Sequence, residues 1–326
     1  MKSTAIAGSN IAFTKYWGRK DEKLRLPSNG SISMTLDNLL TTTTVEFSDK
    51  YDSDDIIIDG QKIDKEAKRV SKHLDRIRKR ARIKLFAKVV SENNFPTSTG
   101  LSSSASGFAA LTKAATAASN LNIENKELTI LSRQGSGSSS RSILGGFCEW
   151  VDGDTSESSY VKQLFPKNHW ELIDIIAVVS KDKKLVPTSI GHTYAQTSPF
   201  FETRLKYMKQ KNQLCKKIIK EKNFQKLGEF IELEAMELHC IMLSSTPQLI
   251  YWTPESLKIM KLIKQWRKQE NIKAYFTVNT GQDVHILCEP DTVQKINNKL
   301  ESVPEVKDIR INRPGNGAYL TDNHLF

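Results

Sequence analysis

The sequence predicts an α+β protein built from two domains. Its 326 residues exceed what a single hydrophobic core usually supports, and its 38% hydrophobic and 26% charged content is that of a globular protein. Strand-like and helix-like segments gather into two separate units and show no internal repeat. We expect the domains to be residues 1–170 and 171–326, divided just before the apolar run that begins at Leu172.

The first unit is predicted to open with strands. Small and apolar residues alternate from Ser3 to Phe13, which is typical of a strand that ends near Thr14. Alternation and β-branched residues predict further strands at Ser31 to Leu36, Leu40 to Phe47, Asp52 to Gly60, Ile83 to Val90 and Phe147 to Val151. Apolar residues at helical spacing predict helices at Lys65 to Arg82 and Glu124 to Arg133.

The second unit mixes long helices with short strands. Its predicted helices are Phe201 to Lys222, Phe224 to Ser244, Pro254 to Gln269 and Asp291 to Leu300. Its predicted strands are Leu172 to Ser180, Ala274 to Thr277, Val284 to Cys288 and Val306 to Ile311. The segment KKLVPTSIGHTYAQTSPFF is predicted to be an extended loop.

A loop that leads into a helix N-terminus lies between Asn93 and Leu111, in the segment NNFPTSTGLSSSASGFAAL. A helix N-terminus leaves backbone N–H groups unpaired and carries partial positive charge. Gly and Ser residues let an anion approach that backbone, so the segment predicts a phosphate-binding loop. The alternative is an ordinary N-cap in a serine-rich connector.

A second small-residue turn, GSGSSSRSILGG, contains Arg141. Gly and Ser expose backbone and hydroxyl donors, and the planar guanidinium suits a carboxylate or phosphate. A flexible linker would not need the apolar residues that follow, such as Ile143 and Phe147. The turn is therefore predicted to hold an anion.

The segment KYWGRK places Lys15, Arg19 and Lys20 around the aromatic pair Tyr16 and Trp17. Cations beside aromatic rings suit an anionic ligand with an apolar body. Considered alone, the segment fits a surface hairpin equally well.

Composition excludes several classes of protein. The net charge of +11 lies mostly on helical surfaces, and no nucleic-acid motif accompanies it. Four dispersed cysteines and six histidines lack metal-ligand spacing. No apolar run is long enough to span a membrane and no secretory signal is evident. We therefore expect a cytoplasmic protein with a small anionic ligand, without a nucleic-acid or membrane partner; a homodimer is a further expectation.

With these motifs assembled, the chain resembles the mevalonate diphosphate decarboxylases of the GHMP kinase superfamily, most closely the branch with archaeal and Chloroflexi-type phosphomevalonate decarboxylases. NIAFTKYWGRK is similar to the family signature NIAxxKYWGK. The serine-rich loop is similar to the family's phosphate loop, and RQGSGSSSRSILGGF to its RRGSGSxCRSxxGGF segment. Three long signatures in the right order are far more specific than one glycine-rich loop.

The resemblance implies a two-domain GHMP-kinase fold, with an N-terminal domain like that of ribosomal protein S5, a ferredoxin-like C-terminal domain and the active site in the cleft between them. It also implies a carboxy-lyase of the mevalonate isoprenoid pathway. ATP with Mg²⁺ would phosphorylate the 3-hydroxyl of mevalonate 5-diphosphate or 5-phosphate. Loss of phosphate and CO₂ would give isopentenyl diphosphate or isopentenyl phosphate.

Site residues follow from the matching positions. The resemblance implies that the ATP phosphates contact Pro96, Gly100, Leu101, Ser102, Ser103, Ser104, Ala105 and Ser106, with Ser103 or Ser104 also near the metal. It implies substrate contacts from Tyr16, Arg19, Ser136, Gly137, Ser138 and Arg141. Lys15 and Arg141 would hold the leaving phosphate and the carboxylate.

The largest departure from the family lies in the turn VNTGQDV. Asn279 stands where the family carries a catalytic Asp, and an amide cannot act as a carboxylate base. Asp283 would substitute only if the turn were rearranged. Four explanations stay open: phosphoryl transfer proceeds with Asn279, since positioning dominates that reaction; the substrate is mevalonate 3,5-bisphosphate and no ATP is used; the protein is a 3-kinase; or it is an impaired paralogue.

The number of substrate phosphates is also open. Diphosphate-using bacterial relatives have a basic residue near the position of Ala195 or Gln196, which favours a 5-monophosphate here. His192 is a substitute contact to the substrate in this interpretation. His239 is expected to pack or hydrogen-bond in the cleft wall.

Overall fold

The computed structural model describes residues 1–62, 64–96, 101–180, 182 and 184–326. The strands are β1 (Lys2–Thr14), β2 (Arg19–Asp21), β3 (Leu26–Pro27), β4 (Ser31–Ser48), β5 (Asp55–Ile58), β6 (Phe86–Asn93), β7 (Phe147–Trp150), β8 (Val161–Phe165), β9 (Ile173–Val178), β10 (Ala274–Thr277), β11 (Val284–Cys288), β12 (Asp308–Asn312) and β13 (Tyr319–Thr321). The helices are α1 (Asp64–Ala81), α2 (Ser103–Ala118), α3 (Asn125–Gly135), α4 (Ser139–Ser142), α5 (Thr188–Gly191), α6 (Phe201–Glu221), α7 (Phe224–Leu243), α8 (Pro254–Glu270) and α9 (Val293–Glu301). Short 3₁₀ segments cover His192–Thr197 and Pro290–Thr292.

The first sheet is organised around β1 and β4. Its strands follow the order β13-β1-β4-β6-β5, and β7 pairs with β4 and with β8. β4 is 18 residues long, so its first part pairs with β7 and its second part with β6. The pairs are antiparallel except β5 with β6. Helices α2 and α4 pack against β1, which brings the serine-rich segments to the strand that ends at Lys15.

The second sheet has the order β10-β11-β9-β12 and is antiparallel throughout. Its central strand β9 is buried along its whole length, as its continuous apolar run predicts. Helices α7 and α8 pack on β10. Thr253 starts α8 with a capping box to Ser256, which satisfies the first backbone donors of that helix. The turn between β10 and β11 contains Asn279.

The strand prediction differs from the structure around Asp37. Two strands were expected, but β4 continues from Ser31 to Ser48. Asp37 and Arg313 exchange hydrogen bonds: the Asp37 N–H donates to the Arg313 carbonyl (3.1 Å), and the Arg313 N–H donates to the Asp37 carboxylate (2.7 Å). The polar residues that indicate a turn are thus satisfied by a distant segment, and the strand is not broken.

Three further differences concern short elements. The predicted extended loop before α6 contains α5 and the 3₁₀ segment His192–Thr197, so that prediction was wrong there. The strands β8 and β13 were not anticipated. Both are short and depend on a partner strand, and their own sequence therefore carries little signal.

The two sheets are joined by one apolar cluster. Its members include Ile11 and Phe13 of β1, Ile176 of β9, Ile218 of α6 and Leu227 of α7. The predicted boundary between residues 170 and 171 stays a prediction; β13 belongs to the second predicted domain by sequence but pairs with β1 of the first. Among the described residues, no helix combines the length and apolar character needed to cross a membrane.

Candidate active site

Lys15 directly follows β1, and its side chain is buried. Its Nζ donates to the carbonyl of Ala12 (2.8 Å) and to Oδ1 of Asn279 (3.1 Å). Burial lowers the pKa of Lys15 to about 7; Arg141 and Arg204 lower it as well, and Glu234 and Asp174 oppose them. The ammonium group therefore lies among neutral acceptors and is poised to gain from an incoming anion.

Helices α6 and α7 hold the backbone of Lys15. Oε2 of Glu234 accepts the Lys15 N–H (3.0 Å), and Nη2 of Arg204 donates to the Lys15 carbonyl (3.3 Å). Arg204 and Glu234 also form a buried ion pair at 2.8 Å. The Arg204–Glu234 ion pair thus fixes the Lys15 backbone between the two sheets. The position of the Lys15 ammonium group therefore depends on both helices.

Asn279 is held in its turn by His239. His239 Nε2 lies 3.0 Å from the Asn279 carbonyl oxygen and must therefore donate to it. The His239 ring stacks on Trp252 at 4.2 Å, and burial lowers its pKa to about 3. A neutral histidine thus supports the cleft wall, in agreement with the expectation for His239.

Asp283 does not supply the carboxylate that the family resemblance implies beside Lys15. It is buried, and its Oδ1 accepts the N–H of Val179 at 3.1 Å, just after β9. The rearranged turn that would bring Asp283 to Lys15 is not observed.

Arg141 lies in the short helix α4 and is 4% exposed. Its Nη2 donates to Oδ1 of Asn10 (3.0 Å), and its Nη1 donates to Oγ of Ser31 (2.8 Å). These partners are neutral, and within the described residues Arg141 forms no salt bridge. Burial lowers its pKa to about 10, far above neutrality, so it remains a cation. A buried cation without a counter-ion is suited to a carboxylate or phosphate ligand.

The two serine-rich motifs meet at Ser104 and Ser136, whose Oγ atoms are 3.4 Å apart. Ser102, with a φ of 60°, precedes α2 and provides no side-chain cap, so the first turn of that helix is not closed by its own N-cap side chain. The side chains of Leu101, Ala105 and Ser106 are buried; Thr41 donates to Ser106 at 2.6 Å. Pro96 lies just before residues 97–100, and Gly100 lies outside the described residues.

The aromatic part of the site is built around His192. Its ring lies between Tyr16 (4.4 Å) and Trp17 (4.3 Å), and its Nδ1 accepts the N–H of Gly18 at 3.1 Å. Burial lowers the pKa of His192 well below its ordinary value, with nearby arginines as a further cause. His192 is therefore a neutral group beside Tyr16, and a contact to the substrate remains a prediction.

Tyr16 also connects the other predicted substrate residues. Its hydroxyl accepts from Nε of Arg19 at 3.1 Å. A Cβ atom on Gly137 would lie 3.0 Å from both Tyr16 and Trp150, so a larger residue there would require these side chains to shift by a few tenths of an ångström. The carbonyl of Ser138 accepts from Asn10 at 3.2 Å.

Sequence reasoning missed four residues that shape the site: Asn10, Ser31, Arg204 and Glu234. Asn10 is the first residue of the family signature NIAFTKYWGRK and could have been identified from it. Arg204 and Glu234 lie on long helices far along the chain, where nothing in the sequence distinguishes them from surface charges.

The hydroxyl groups of Ser103 and Ser104 suit a metal that keeps most of its water and phosphate ligands, as Mg²⁺ does. Among the described residues, no group of three or more His, Cys, Asp or Glu side chains forms a ready-made metal site. The residues present thus fit a magnesium ion carried in with a nucleotide.

Comparison with known proteins gives consistent matches in both halves of the chain. Residues 7–161 match the diphosphomevalonate decarboxylase-like N-terminal domain, and residues 174–314 match the mevalonate 5-diphosphate decarboxylase C-terminal domain. The diphosphomevalonate decarboxylase of Candida albicans is 35% identical over 312 residues, 90% of this chain and 86% of that protein.

Solved structures agree in fold. Mevalonate diphosphate decarboxylase from Staphylococcus aureus has a TM-score of 0.93 and 37% identity, covering 98% of each chain. A structure in complex with MVAPP, AMPPCP and magnesium has a TM-score of 0.92 and 36% identity, covering 99% of each chain. The predicted α+β fold of two domains is confirmed, and the chain belongs to the diphosphomevalonate decarboxylase family of carboxy-lyases.

Proposed function

We propose that the protein decarboxylates mevalonate 5-diphosphate with ATP and Mg²⁺ and produces isopentenyl diphosphate, ADP, phosphate and CO₂. The observation that carries the proposal is the pair Lys15 and Arg141. Both side chains are buried and donate to neutral oxygens, and they interact electrostatically with each other. Two such cations favour a ligand that brings both a carboxylate and a phosphate.

The reaction requires that the substrate carries its carboxylate and its phosphate on neighbouring carbon atoms. A tertiary hydroxide is a poor leaving group, whereas a phosphate is a good one. Once the 3-hydroxyl carries phosphate, the C–O bond to that phosphate breaks, the bond to the carboxylate supplies its electron pair to the new double bond, and CO₂ leaves. Arg141 would hold the carboxylate and Lys15 the departing phosphate, which stabilises the negative charge that develops there.

The start of α2 and the serine-rich turn would bind the ATP phosphates. Ser102, Ser103 and Ser104 offer hydroxyl and backbone donors at a helix N-terminus. Ser103 and Ser104 would also hold Mg²⁺, whose charge offsets that of the phosphates. A related structure in complex with AMPPCP and magnesium supports the use of ATP and Mg²⁺.

Asn279 supports a second candidate, the ATP-independent decarboxylation of mevalonate 3,5-bisphosphate. The amide keeps Lys15 in place at 3.1 Å but cannot accept the proton of a 3-hydroxyl. A substrate that already carries the 3-phosphate needs no such acceptor. The 5-monophosphate remains an alternative substrate of the ATP-dependent route, and a homodimer stays a prediction.

The test is a substrate panel analysed by mass spectrometry. The protein is incubated with mevalonate, its 5-phosphate, its 5-diphosphate and its 3,5-bisphosphate, each with and without ATP and Mg²⁺. We expect isopentenyl diphosphate only from the 5-diphosphate with ATP. Isopentenyl phosphate from the bisphosphate without ATP would favour the second candidate, and no decarboxylation of any compound would contradict both.

A further inference from the structure

A buried pair of titratable side chains, Asp174 of β9 and His285 of β11, lies between the two sheets. Side chains alternate along a strand, and Ile176 of β9 and Leu287 of β11 belong to the apolar cluster that joins the sheets. Asp174 and His285 lie on that same face of their strands, and they are 0% and 2% exposed. A carboxylate buried among apolar side chains is costly, so its surroundings show what it acts on.

His285 is the hydrogen-bond partner of the Asp174 carboxylate. Its Nδ1 lies 3.1 Å from Oδ1 and 2.9 Å from Oδ2 of Asp174 and donates to them. A neutral imidazole can make this donation, because one of its two nitrogens carries a hydrogen. Among the described residues, no lysine or arginine forms a salt bridge with Asp174. With His285 neutral, the pair therefore holds one negative charge.

Asp174 and Glu234 are the two acids that act on the buried Lys15 ammonium group, and their surroundings differ. Glu234 forms salt bridges with Arg204 and with Lys211, both at 2.8 Å, so its charge is compensated by α6. Asp174 has no such cation in the described part of the chain. Its negative charge is therefore available to Lys15.

The strand next to β11 connects the pair with the candidate active site. Thr277 of β10 pairs with His285 in the ladder, and two residues later Asn279 accepts a hydrogen bond from Lys15. Burial lowers the pKa of Lys15 to about 7, and Asp174 opposes this effect. Because these groups are buried, solvent screens the Asp174 charge less than it would at the surface.

We propose that Asp174 is a positioning residue for the reaction: its carboxylate, oriented by His285, supplies the negative charge that holds Lys15 in its protonated form beside the neutral Asn279. The inference rests on the proposed function for the reaction that Lys15 serves. Only the ammonium form of Lys15 stabilises a departing phosphate, so a charge that favours this form increases the fraction of active protein near neutral pH.

Several other groups also affect the charge state of Lys15. In the described residues, the charged and titratable groups that face Lys15 from the surrounding elements are Arg141 of α4, Arg204 of α6, Glu234 and His239 of α7, and Asp174 of β9. The test therefore changes Asp174 and leaves the other four unchanged.

The first measurement is a direct titration of Lys15 in the full chain without ligand. Lysines are labelled with ¹³C at Cε and followed by NMR, and the Lys15 signal is identified by its absence in Lys15→Met. In Asp174→Asn the titration midpoint of Lys15 should lie about one pH unit below that of the wild type, the scale of a single buried charge that acts without direct contact. The matched control is Asp308→Asn on β12 of the same sheet, where the carboxylate is partly exposed and paired with Arg310, and its midpoint should equal that of the wild type.

The second measurement is the pH profile of kcat/KM for mevalonate 5-diphosphate with ATP and Mg²⁺. Relative to the wild type, Asp174→Asn should be about tenfold less active at about pH 8 and nearly equal at about pH 5.5, because acid restores the ammonium group. A loss of the same size at every pH would show that Asp174 is merely structural and would overturn the proposal.

The double variant Asp174→Asn/His285→Gln covers the case in which the single variant does not fold, since its two amides can hydrogen-bond to each other without charge. It should show the same lowered midpoint. A wild-type midpoint in the folded double variant would overturn the proposal, because the pair would then carry no net charge. If no mevalonate compound is decarboxylated, the proposed function fails, whereas the NMR titration still decides about Asp174: a lowered midpoint supports its action on Lys15 and an unchanged one contradicts it.

Discussion

Asn279 decides how the chemical step is carried out. Its side chain contacts Lys15, and its carbonyl is fixed by His239, so the turn holds a neutral amide where the family resemblance implies an acid. Phosphoryl transfer depends mainly on positioning and charge stabilisation. Because the Asn279 amide cannot take the proton of the 3-hydroxyl, the ATP-dependent route should still operate, but at a rate limited by proton removal.

The variant Asn279→Asp should increase ATP-dependent CO₂ release from mevalonate 5-diphosphate by about tenfold or more, within the usual range for a positioned base. The new carboxylate would also raise the pKa of Lys15. In the wild type, activity that needs the Lys15 ammonium group should fall as pH rises above about 7, and the fall should move to higher pH in the variant. The measurement is a pH profile of kcat/KM. An unchanged rate and profile would contradict this role of Asn279.

We predict that the buried Lys15 lowers the free energy of unfolding, although the proposed reaction requires it. Its pKa is about 7 in the folded protein against 10.5 ordinarily, so between these pH values the unfolded chain binds more protons and stability rises with pH. Below pH 7 the full cost of burying the charge is present.

The variant Lys15→Met should therefore raise the free energy of unfolding by about 2 kcal/mol at pH 7 and abolish decarboxylation. The gain should shrink as pH approaches 10, since the wild-type amine is then neutral when folded. Denaturant unfolding at both pH values measures this. A variant less stable than the wild type at pH 7 would show that the hydrogen bonds of Lys15 outweigh its desolvation cost.

At the level of elements, α6 and α7 position the end of β1. Glu234 is fully buried and receives hydrogen bonds from Arg204, Lys211 and the Lys15 backbone. Glu237, one turn further on, contacts the same Arg204 and Lys211 but is 34% exposed. The two acids therefore share partners and differ in burial, which makes Glu237 a close control.

The variant Glu234→Gln should lower the free energy of unfolding by about 3 kcal/mol, because it leaves Arg204 buried with less compensation. Glu237→Gln should cost less than about 1 kcal/mol, as for a partly exposed pair. Chemical denaturation of both variants provides the comparison. Equal losses of unfolding free energy in the two variants would mean that the position of the Lys15 backbone does not depend on the buried Arg204–Glu234 pair.

The elements also show how far sequence reasoning reaches. The long helices α6, α7 and α8 and the strand β1 were predicted to within a few residues, because their apolar spacing is set by local geometry. The continuous strand through Asp37 was not, since its polar residues are satisfied by Arg313, far along the chain. In the candidate site, Lys15, Arg141 and the serine motifs were predicted from local pattern together with the family resemblance. The roles of Glu234 and Arg204 depend on which helices meet in space, and no local pattern reports that.

At the level of the whole molecule, an apolar cluster joins the two sheets. Side chains from β1, β9, α6 and α7 form one core, and β13 adds to the first sheet from the end of the sequence. We predict that residues 1–170 expressed alone do not unfold cooperatively, whereas the full chain shows one calorimetric transition that involves both sheets. A cooperative transition of the fragment, or two resolved transitions of the full chain, would contradict this shared core.

The central claim is that phosphoryl transfer and decarboxylation occur in one site on one substrate. Its most direct test is to measure ADP and CO₂ together while the protein acts on mevalonate 5-diphosphate with ATP and Mg²⁺. Equimolar ADP and CO₂ are the predicted result. ADP accompanied by a stable 3-phosphorylated product and no CO₂ would contradict it.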